Sequence, residues 1–391
     1  MSVDELRRAA ITAVAESRYG DAERLACRAT ELARNITPPD ADAVGRCLAA
    51  LARALGGLRR FAEAELIATE ALQPTGGHVP SDVVRGEVFF ALGEMLVGRA
   101  RFHDALPHLL CAQAEFARSR GGDDASVAQA HYVLAMAYQG LMRANEAERA
   151  LTRSIAILTR ARSSSPLLQR ALLDLAIMQA NAGHLAEARQ TLAVFHRITG
   201  DRPIRYPLTR SLGAVRFKLG DHAGAAEALQ RAVDELAPRA EGVAVIELAG
   251  TLSRWGVCLL RLGRYAEAES VFVRQLAAER AVQTPDGPGF GTALNNIAVA
   301  LREQGRLTQA EEYQREALRV QEAAVGSSHP TLVNTLKNLG LILTKQGRRD
   351  EAINTLRRAL SITEEKPGAD HAQAAELRNC IAVAEALSPN A

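Results

Sequence analysis

The sequence predicts an all-α chain, an α-solenoid of about nine helical hairpins closed by one C-terminal helix. Three observations carry this. Alanine, leucine, arginine and glutamate dominate the 391 residues, a composition suited to helix. Aromatic residues make up only 4%, and no long alternation of Val, Ile and Thr is present to supply strands. A small residue recurs after a turn at nearly constant spacing along almost the whole chain.

That residue is Ala352 in "GRRDEA", preceded by Ala310, Ala268, Ala225, Ala188, Ala147, Ala105, Ala64 and Ala22. The spacings from the N-terminus are 42, 41, 42, 41, 37, 43, 42 and 42. Other columns obey the same register. Twelve residues before each anchor stand Ala10, Ala52, Gly93, Ala135, Ala176, Gly213, Gly256, Ala298 and Gly340, all of them small. One position earlier come Ala9, Leu51, Leu92, Leu134, Leu175, Leu212, Trp255, Ile297 and Leu339, all apolar. Seven residues after the anchor the column is small except at Phe195 and Gln275. Large residues that fill the gap between paired helices, and small ones where their backbones cross, mark a helix-on-helix unit.

In order, the expected hairpins span about 3–37, 43–79, 84–120, 126–161, 167–200, 205–238, 245–282, 289–326 and 331–366, within a single array over 1–391. The first helix of each (helix A) ends near Gly183, Gly220, Gly263, Gly305 or Gly347 in the last five, where glycine adopts a left-handed cap. Ser17, Arg59, Ala100 and Met142 hold that place in the first four, so those turns are expected to close differently. Breaker-rich connections such as "QPTGGHVPS", "SRGGDD" and "GSSHP" separate the hairpins, and "GPGFG" at 287–291 reads as another connector. The spacing of 37 predicts a tighter joint between Thr199 and Pro207, a kink in the array. At 370–387, "HAQAAELRNCIAVAEAL" puts Ile381 and Ala382 in the large and small columns and predicts a capping helix.

On these residues the chain resembles the tetratricopeptide repeat: Leu339-Gly340 in helix A, then Ala352 and Leu356 four apart in helix B. The period of about 42, with "LNNIAVALREQGRLTQAEEYQREAL" and "HPTLVNTLKNLGLILTKQGRRDEAINTLRRAL", is similar to the kinesin-light-chain-like subclass, most clearly from about 290 to 362. The resemblance implies a right-handed superhelix whose A helices line a concave, ligand-facing groove.

Other function classes find little support. With 47 basic against 45 acidic residues the net charge is +2, too small an excess to neutralise many phosphates or anionic lipids. Cys27, Cys47, Cys111, Cys258 and Cys380 are odd in number and widely spaced, and read as reduced, packed thiols rather than a zinc site. "MSVDELRRAAITAVAE" lacks a leader's apolar core, and no apolar run is long enough to span a membrane, so a cytoplasmic location is expected. No Walker loop, HExxH, GxSxG or CxxC occurs, and His103, His108, His184, His222, His329 and His371 read as packed or solvated. No catalytic residue, metal or cofactor is expected.

The groove positions implied by the resemblance divide into two halves. In repeats two to five they hold Ala49, Ala50, Phe90, Ala91, Tyr132, Val133, Met136, Leu173 and Ile177, an apolar wall with Phe90 and Tyr132 as candidate anchors or inter-repeat packing. In repeats six to nine they hold Arg210, Ser211, Ser253, Arg254, Thr292, Asn295, Asn296, Asn334, Lys337 and Asn338, with Asn379 on the cap. A carboxamide both donates and accepts, so such a column can pair with the backbone of an extended peptide whatever its sequence. Arginine and lysine add a preference for carboxylates. The set that co-chaperone domains use to clamp a dicarboxylate is not found in three successive repeats. The expectation is therefore a non-enzymatic scaffold or adaptor that binds a peptide or protein segment. A peptide-sensing regulator, similar to bacterial pheromone receptors but acting on a separate effector, is the alternative, and an enzyme or biosynthetic accessory protein the third. Apolar edges on a terminal repeat also allow homo-oligomers, and high Ala and Arg use points to a bacterial source.

Overall fold

The computed structural model describes residues 1–391 except 17, 39, 162–164, 201, 282–287, 366–370 and 387–391. The described residues form nineteen α-helices, one short 3-10 turn and no strand. Two compact units result, Met1–Arg202 and Pro203–Ala391, whose boundary falls inside the segment where a tight joint was expected.

The first unit holds five antiparallel pairs: α1 (Val3–Ala15) with α2 (Tyr19–Arg34), α3 (Ala41–Gly57) with α4 (Phe61–Glu70), α5 (Asp82–Gly98) with α6 (Phe102–Arg120), α7 (Ala125–Gly140) with α8 (Ala144–Arg160), and α9 (Pro166–Asn181) with α10 (Leu185–Thr199). The second holds α11 (Leu208–Lys218) with α12 (His222–Leu236), α13 (Val243–Arg261) with α14 (Tyr265–Ala281), α15 (Pro288–Glu303) with α16 (Leu307–Val325), α17 (Leu332–Lys345) with α18 (Arg349–Glu364), and the single α19 (His371–Glu385). Side-chain oxygens start several A helices: Ser2 caps α1 in a box with Glu5, and Asp40, Asp124 and Ser165 cap α3, α7 and α9. The "GPGFG" stretch differs from its expected role as a connector. Pro288 opens α15, which suits its fixed φ and missing N–H, and Phe290 is buried one turn in.

The small column does what its spacing implies. A Cβ on Gly93, Gly213, Gly256 or Gly340 would come within 2.6 Å of Leu109, Leu229, Phe272 or Leu356 respectively, each sixteen residues later on the partner helix. Where helix A carries Ala10 or Ala52 the facing residue shrinks to Ala26 or Ala68, all four buried. Buried Ala135, however, faces buried Leu151, so the side chains that fill the crossing vary in size from hairpin to hairpin. The column seven after the anchor is buried in all nine hairpins, Phe195 and Gln275 included. A helices also pack on the next A helix, as in α3 on α5 or α15 on α17, while B helices pack chiefly on A helices. Within each unit the A layer is therefore the inner one.

The turns correct an expectation. Arg59, Ala100 and Met142 take φ of 61°, 58° and 60°, the same left-handed region as Gly183, Gly220, Gly263, Gly305 and Gly347. The hydrogen bonds match as well. The N–H of the following residue donates five residues back, from Arg60 to Leu55, Arg101 to Leu96 and Arg143 to Tyr138, just as from Arg264 to Leu259 and Arg348 to Leu343. This is the Schellman closure. The helix crossing fixes the turn, and three side chains are held in a conformation that costs each about 1 kcal/mol. Ser17 lies outside the described residues.

Arginines that follow these turns form a ladder. Arg60, Arg101, Arg306 and Arg348 each reach a side chain three residues on and also a glutamate of the preceding hairpin: Glu23 at 2.5 Å, then Glu65, Glu269 and Glu311 at 2.7 Å each. Such exposed pairs favour register between hairpins more than they add stability.

Three outcomes follow. Met142 is 90% exposed, so Met142→Gly loses no packing and should raise stability by about 1 kcal/mol, read by chemical denaturation. Gly340→Ala should lower it by about 1–3 kcal/mol, because the added Cβ would meet the buried Leu356 side chain at 2.5 Å. Cys47 and Cys258 are buried, and burial pushes both thiols up to about 11, whereas Cys111 is exposed. At pH 8 only about one in a thousand of the two buried thiols is ionised. Mass spectrometry after brief iodoacetamide treatment should find Cys111 alkylated, with Cys47 and Cys258 modified only after unfolding.

Candidate functional site

The inner wall of the second unit is made by successive A helices, and one helical face of each supplies it. Arg210 and Ser211 stand on α11, Ser253 and Arg254 on α13, Asn295 and Asn296 on α15, Asn334, Lys337 and Asn338 on α17, and Asn379 on α19. The wall is not uniform, because a buried amide behind it has claimed part of the column.

Gln314 of α16 is 0% exposed and occupies the position where other B helices carry Leu109, Leu151, Leu229, Phe272 or Leu356. A buried carboxamide needs partners. Its Nε2 donates to Asn295 Oδ1 at 2.8 Å and to the Thr335 carbonyl at 2.9 Å, although its own Oε1 accepts nothing among the described residues. Asn338 Nδ2 donates to the same Asn295 oxygen at 3.0 Å, and Arg302 Nη1 donates to Asn338 Oδ1 at 3.4 Å. Thr335, itself buried, donates to Gln321 Oε1 at 2.7 Å. The result is a polar joint between the α15–α16 hairpin and α17.

Two of the asparagines expected to line the groove are engaged within the chain itself. Asn295 accepts two hydrogen bonds on Oδ1 and directs its amide to Asn296 Oδ1 at 3.4 Å, while Asn338 is engaged at both ends. They hold repeats together. Lys337 is 18% exposed and lies 3.0 Å from Glu376 of α19, so its charge is neutralised within the chain. Asn334 and Asn379 are exposed, Asn296 is half-buried with an unengaged amide nitrogen, and none of these three donates to a described residue. Arg254 is exposed and Arg210 half-buried, its guanidinium 5.8 Å over the Tyr206 ring. Although Arg254 reaches solvent, the wall around it displaces bulk water. That loss of water, and then the nearby Arg210 charge, lower its pKa from the ordinary arginine value.

The apolar half reads differently in the structure. Phe90 is 1% exposed, 6.3 Å from the Phe116 ring and 5.2 Å beneath the Arg53 guanidinium. Tyr132 is 7% exposed and donates to Asp174 at 2.7 Å across one repeat. Burial, and then the Asp174 charge, push its phenol well above the ordinary range. Ala49, Ala50, Ala91, Val133 and Leu173 are buried too. As they stand, these residues are the contact between neighbouring A helices rather than an open wall. Among the open features of this unit is a cleft of about 460 Å³ toward the turns, lined by Tyr19, Arg53, Phe61, Glu94 and Met95 among others.

Sequence reasoning missed Gln314, Glu376 and the turn arginines. Gln314 had a visible signal, an amide in a column otherwise of Ala, Leu or Phe.

Comparison with known proteins agrees with the architecture. A tetratricopeptide repeat family model matches residues 247–323, 289–365 and 331–386, all within the second unit. No curated protein shows a significant sequence match. Among solved structures, the apo form of the quorum sensor NprR from B. thuringiensis aligns with a TM-score of 0.61 at 13% identity, over 92% of this chain and 98% of that one. A Rap protein complexed with competence and sporulation factor aligns at 0.47 and 12% identity, over 98% and 97%. The likeness to the first shows a shared fold. The chain is an all-α solenoid built from tetratricopeptide-like hairpins.

The joint makes a measurable claim. In a double-mutant cycle, Asn295→Ala and Asn338→Ala should show a coupling of about 0.5–1.5 kcal/mol in chemical denaturation, since Asn338 donates to the Asn295 oxygen that also accepts from buried Gln314. Asn334→Ala, with nothing to lose, should leave the denaturation midpoint unchanged.

Proposed function

We propose that this protein is a non-enzymatic scaffold that holds an extended peptide or partner segment along the A helices of its second unit. One observation carries the reading. Asn296, Asn334 and Asn379 stand on three successive A helices of one inner wall with amide donors that no described residue takes up. A row of unengaged carboxamides is suited to the alternating N–H and C=O of an extended backbone. The neighbouring joint keeps α15 and α17 in fixed register and so presets the spacing of that row.

The reading includes a kinesin-light-chain-like repeat, supported by the spacing of 42, and a single array over 1–391. It also includes the cytoplasm of a bacterium as the setting, supported by scattered free cysteines and by high Ala and Arg content. No helix among the described residues is long and apolar enough to cross a membrane. A second reading, a peptide-sensing regulator acting on a separate effector, uses the same wall and is motivated by the fold shared with a quorum sensor. It differs in one respect: the bound peptide would change the arrangement of the hairpins, which small-angle scattering with and without peptide would reveal.

The test separates the free amides from the structural ones. Asn296→Ala with Asn334→Ala should reduce recovery of a captured partner about tenfold or more, the loss expected for two hydrogen bonds, with an unaltered melting temperature. Undiminished capture by a folded double variant would remove the groove reading.

A further inference from the structure

The arginines of this chain fall into distinguishable environments. Those after the turns are held by carboxylates, as Arg264 is by Glu267 at 2.6 Å and Arg306 by Glu269 at 2.7 Å. Arg210 and Arg254 are not. Neither forms an ion pair or hydrogen bond with a described residue, and they stand on adjacent A helices, α11 and α13, close enough for the charge of one to act on the other. Each has a serine beside it on the same face, Ser211 and Ser253, both half-buried and both without a hydrogen-bond partner among the described residues. The order is reversed between the helices, Arg-Ser on α11 and Ser-Arg on α13.

Two like charges on a partly dehydrated wall destabilise the empty protein, and no described carboxylate forms an ion pair with either, Glu247 being taken up by the Tyr206 hydroxyl. Two planar guanidinium forks and two hydroxyl donors suit one kind of guest, a compact oxyanion. We infer that Arg210, Ser211, Ser253 and Arg254 form a subsite for an anionic group of the bound peptide. The inference rests on the groove reading above and makes it more specific.

The register predicts where the anion sits. Arg254 and Asn296 occupy the same column of adjacent hairpins. Neighbouring helices lie about 10 Å apart, and an extended chain advances about 3.3 Å per residue. The anionic residue is therefore about three positions from the backbone segment that Asn296 pairs. Three sources share the chemistry: an acidic side chain, a phosphorylated side chain and a terminal carboxylate.

The experiment uses the full-length protein. Peptides are selected from a random twelve-residue display library, and the best is synthesised with a fluorescent label and titrated by anisotropy. The enriched sequences should share an Asp or Glu. Arg210→Gln with Arg254→Gln should weaken binding about tenfold or more, as should neutralising that acid in the peptide, and the two losses should not add. Replacing the acid by phosphoserine, or amidating the peptide's C-terminus, tells the three sources apart. Melting temperature reports that the variant is folded. Binding unaffected by the arginine changes but lost in the Asn296→Ala, Asn334→Ala variant would overturn the anion subsite and leave the groove standing. Enriched peptides indifferent to both pairs of substitutions, or no enriched peptide at all, would overturn both.

Discussion

One close contact governs this structure: the crossing where a small residue of helix A meets the side chain sixteen positions later on helix B. Gly340 against Leu356 and Gly256 against Phe272 set how near the two axes come. Everything else adapts to that distance. The turn between the helices must then close tightly, which is why Arg59, Ala100 and Met142 accept a left-handed conformation that glycine takes elsewhere. The conserved quantity is the geometry of the crossing, and the turn residue follows from it.

The same contact explains the character of the inner wall. Where an apolar side chain fills the crossing, the wall in front of it is free to carry any residue. In the α15–α16 hairpin Gln314 fills it, and an amide there recruits Asn295, and through it Asn338, from the wall itself. The asparagines thus fall into two groups by whether they are hydrogen-bonded into the joint around one buried glutamine. Asn295 and Asn338 serve the joint, while the amide nitrogens of Asn296 and Asn334 donate to no described residue. Behind α11 and α13 the crossings are filled by Leu229 and Phe272, and neither Arg210 nor Arg254 forms an ion pair or hydrogen bond with a described residue.

Much of the fold was legible because helix pairing is a local, periodic constraint. A period near 42, read from Ala22 to Ala352, anticipated the all-α solenoid of helical hairpins. What escaped was the partner choice of individual polar groups. Nothing in the spacing of Asn295, Asn296 and Asn338 says which of them a residue on another helix will engage, for that depends on Gln314, nineteen residues from one and twenty-four from another. Likewise the apolar positions around Phe90 and Tyr132 could equally have lined a groove or packed between repeats. Small neighbours such as Ala49, Ala50 and Ala91 let the A helices of the first unit close on one another, and burial resulted. The turn arginines Arg306 and Arg348 stand directly after a glycine, yet the glutamates they reach, Glu269 and Glu311, lie in the preceding hairpin.

The central claim is that free and structural amides divide the wall. Nitrogen-15 correlated NMR of the asparagine side chains tests it directly, using the peptide selected from the display library. Titration should shift the side-chain amide signals of Asn296 and Asn334 and leave those of Asn295 and Asn338 in place. Shifts at Asn295 and Asn338, or shifts confined to residues of the first unit, would contradict the account.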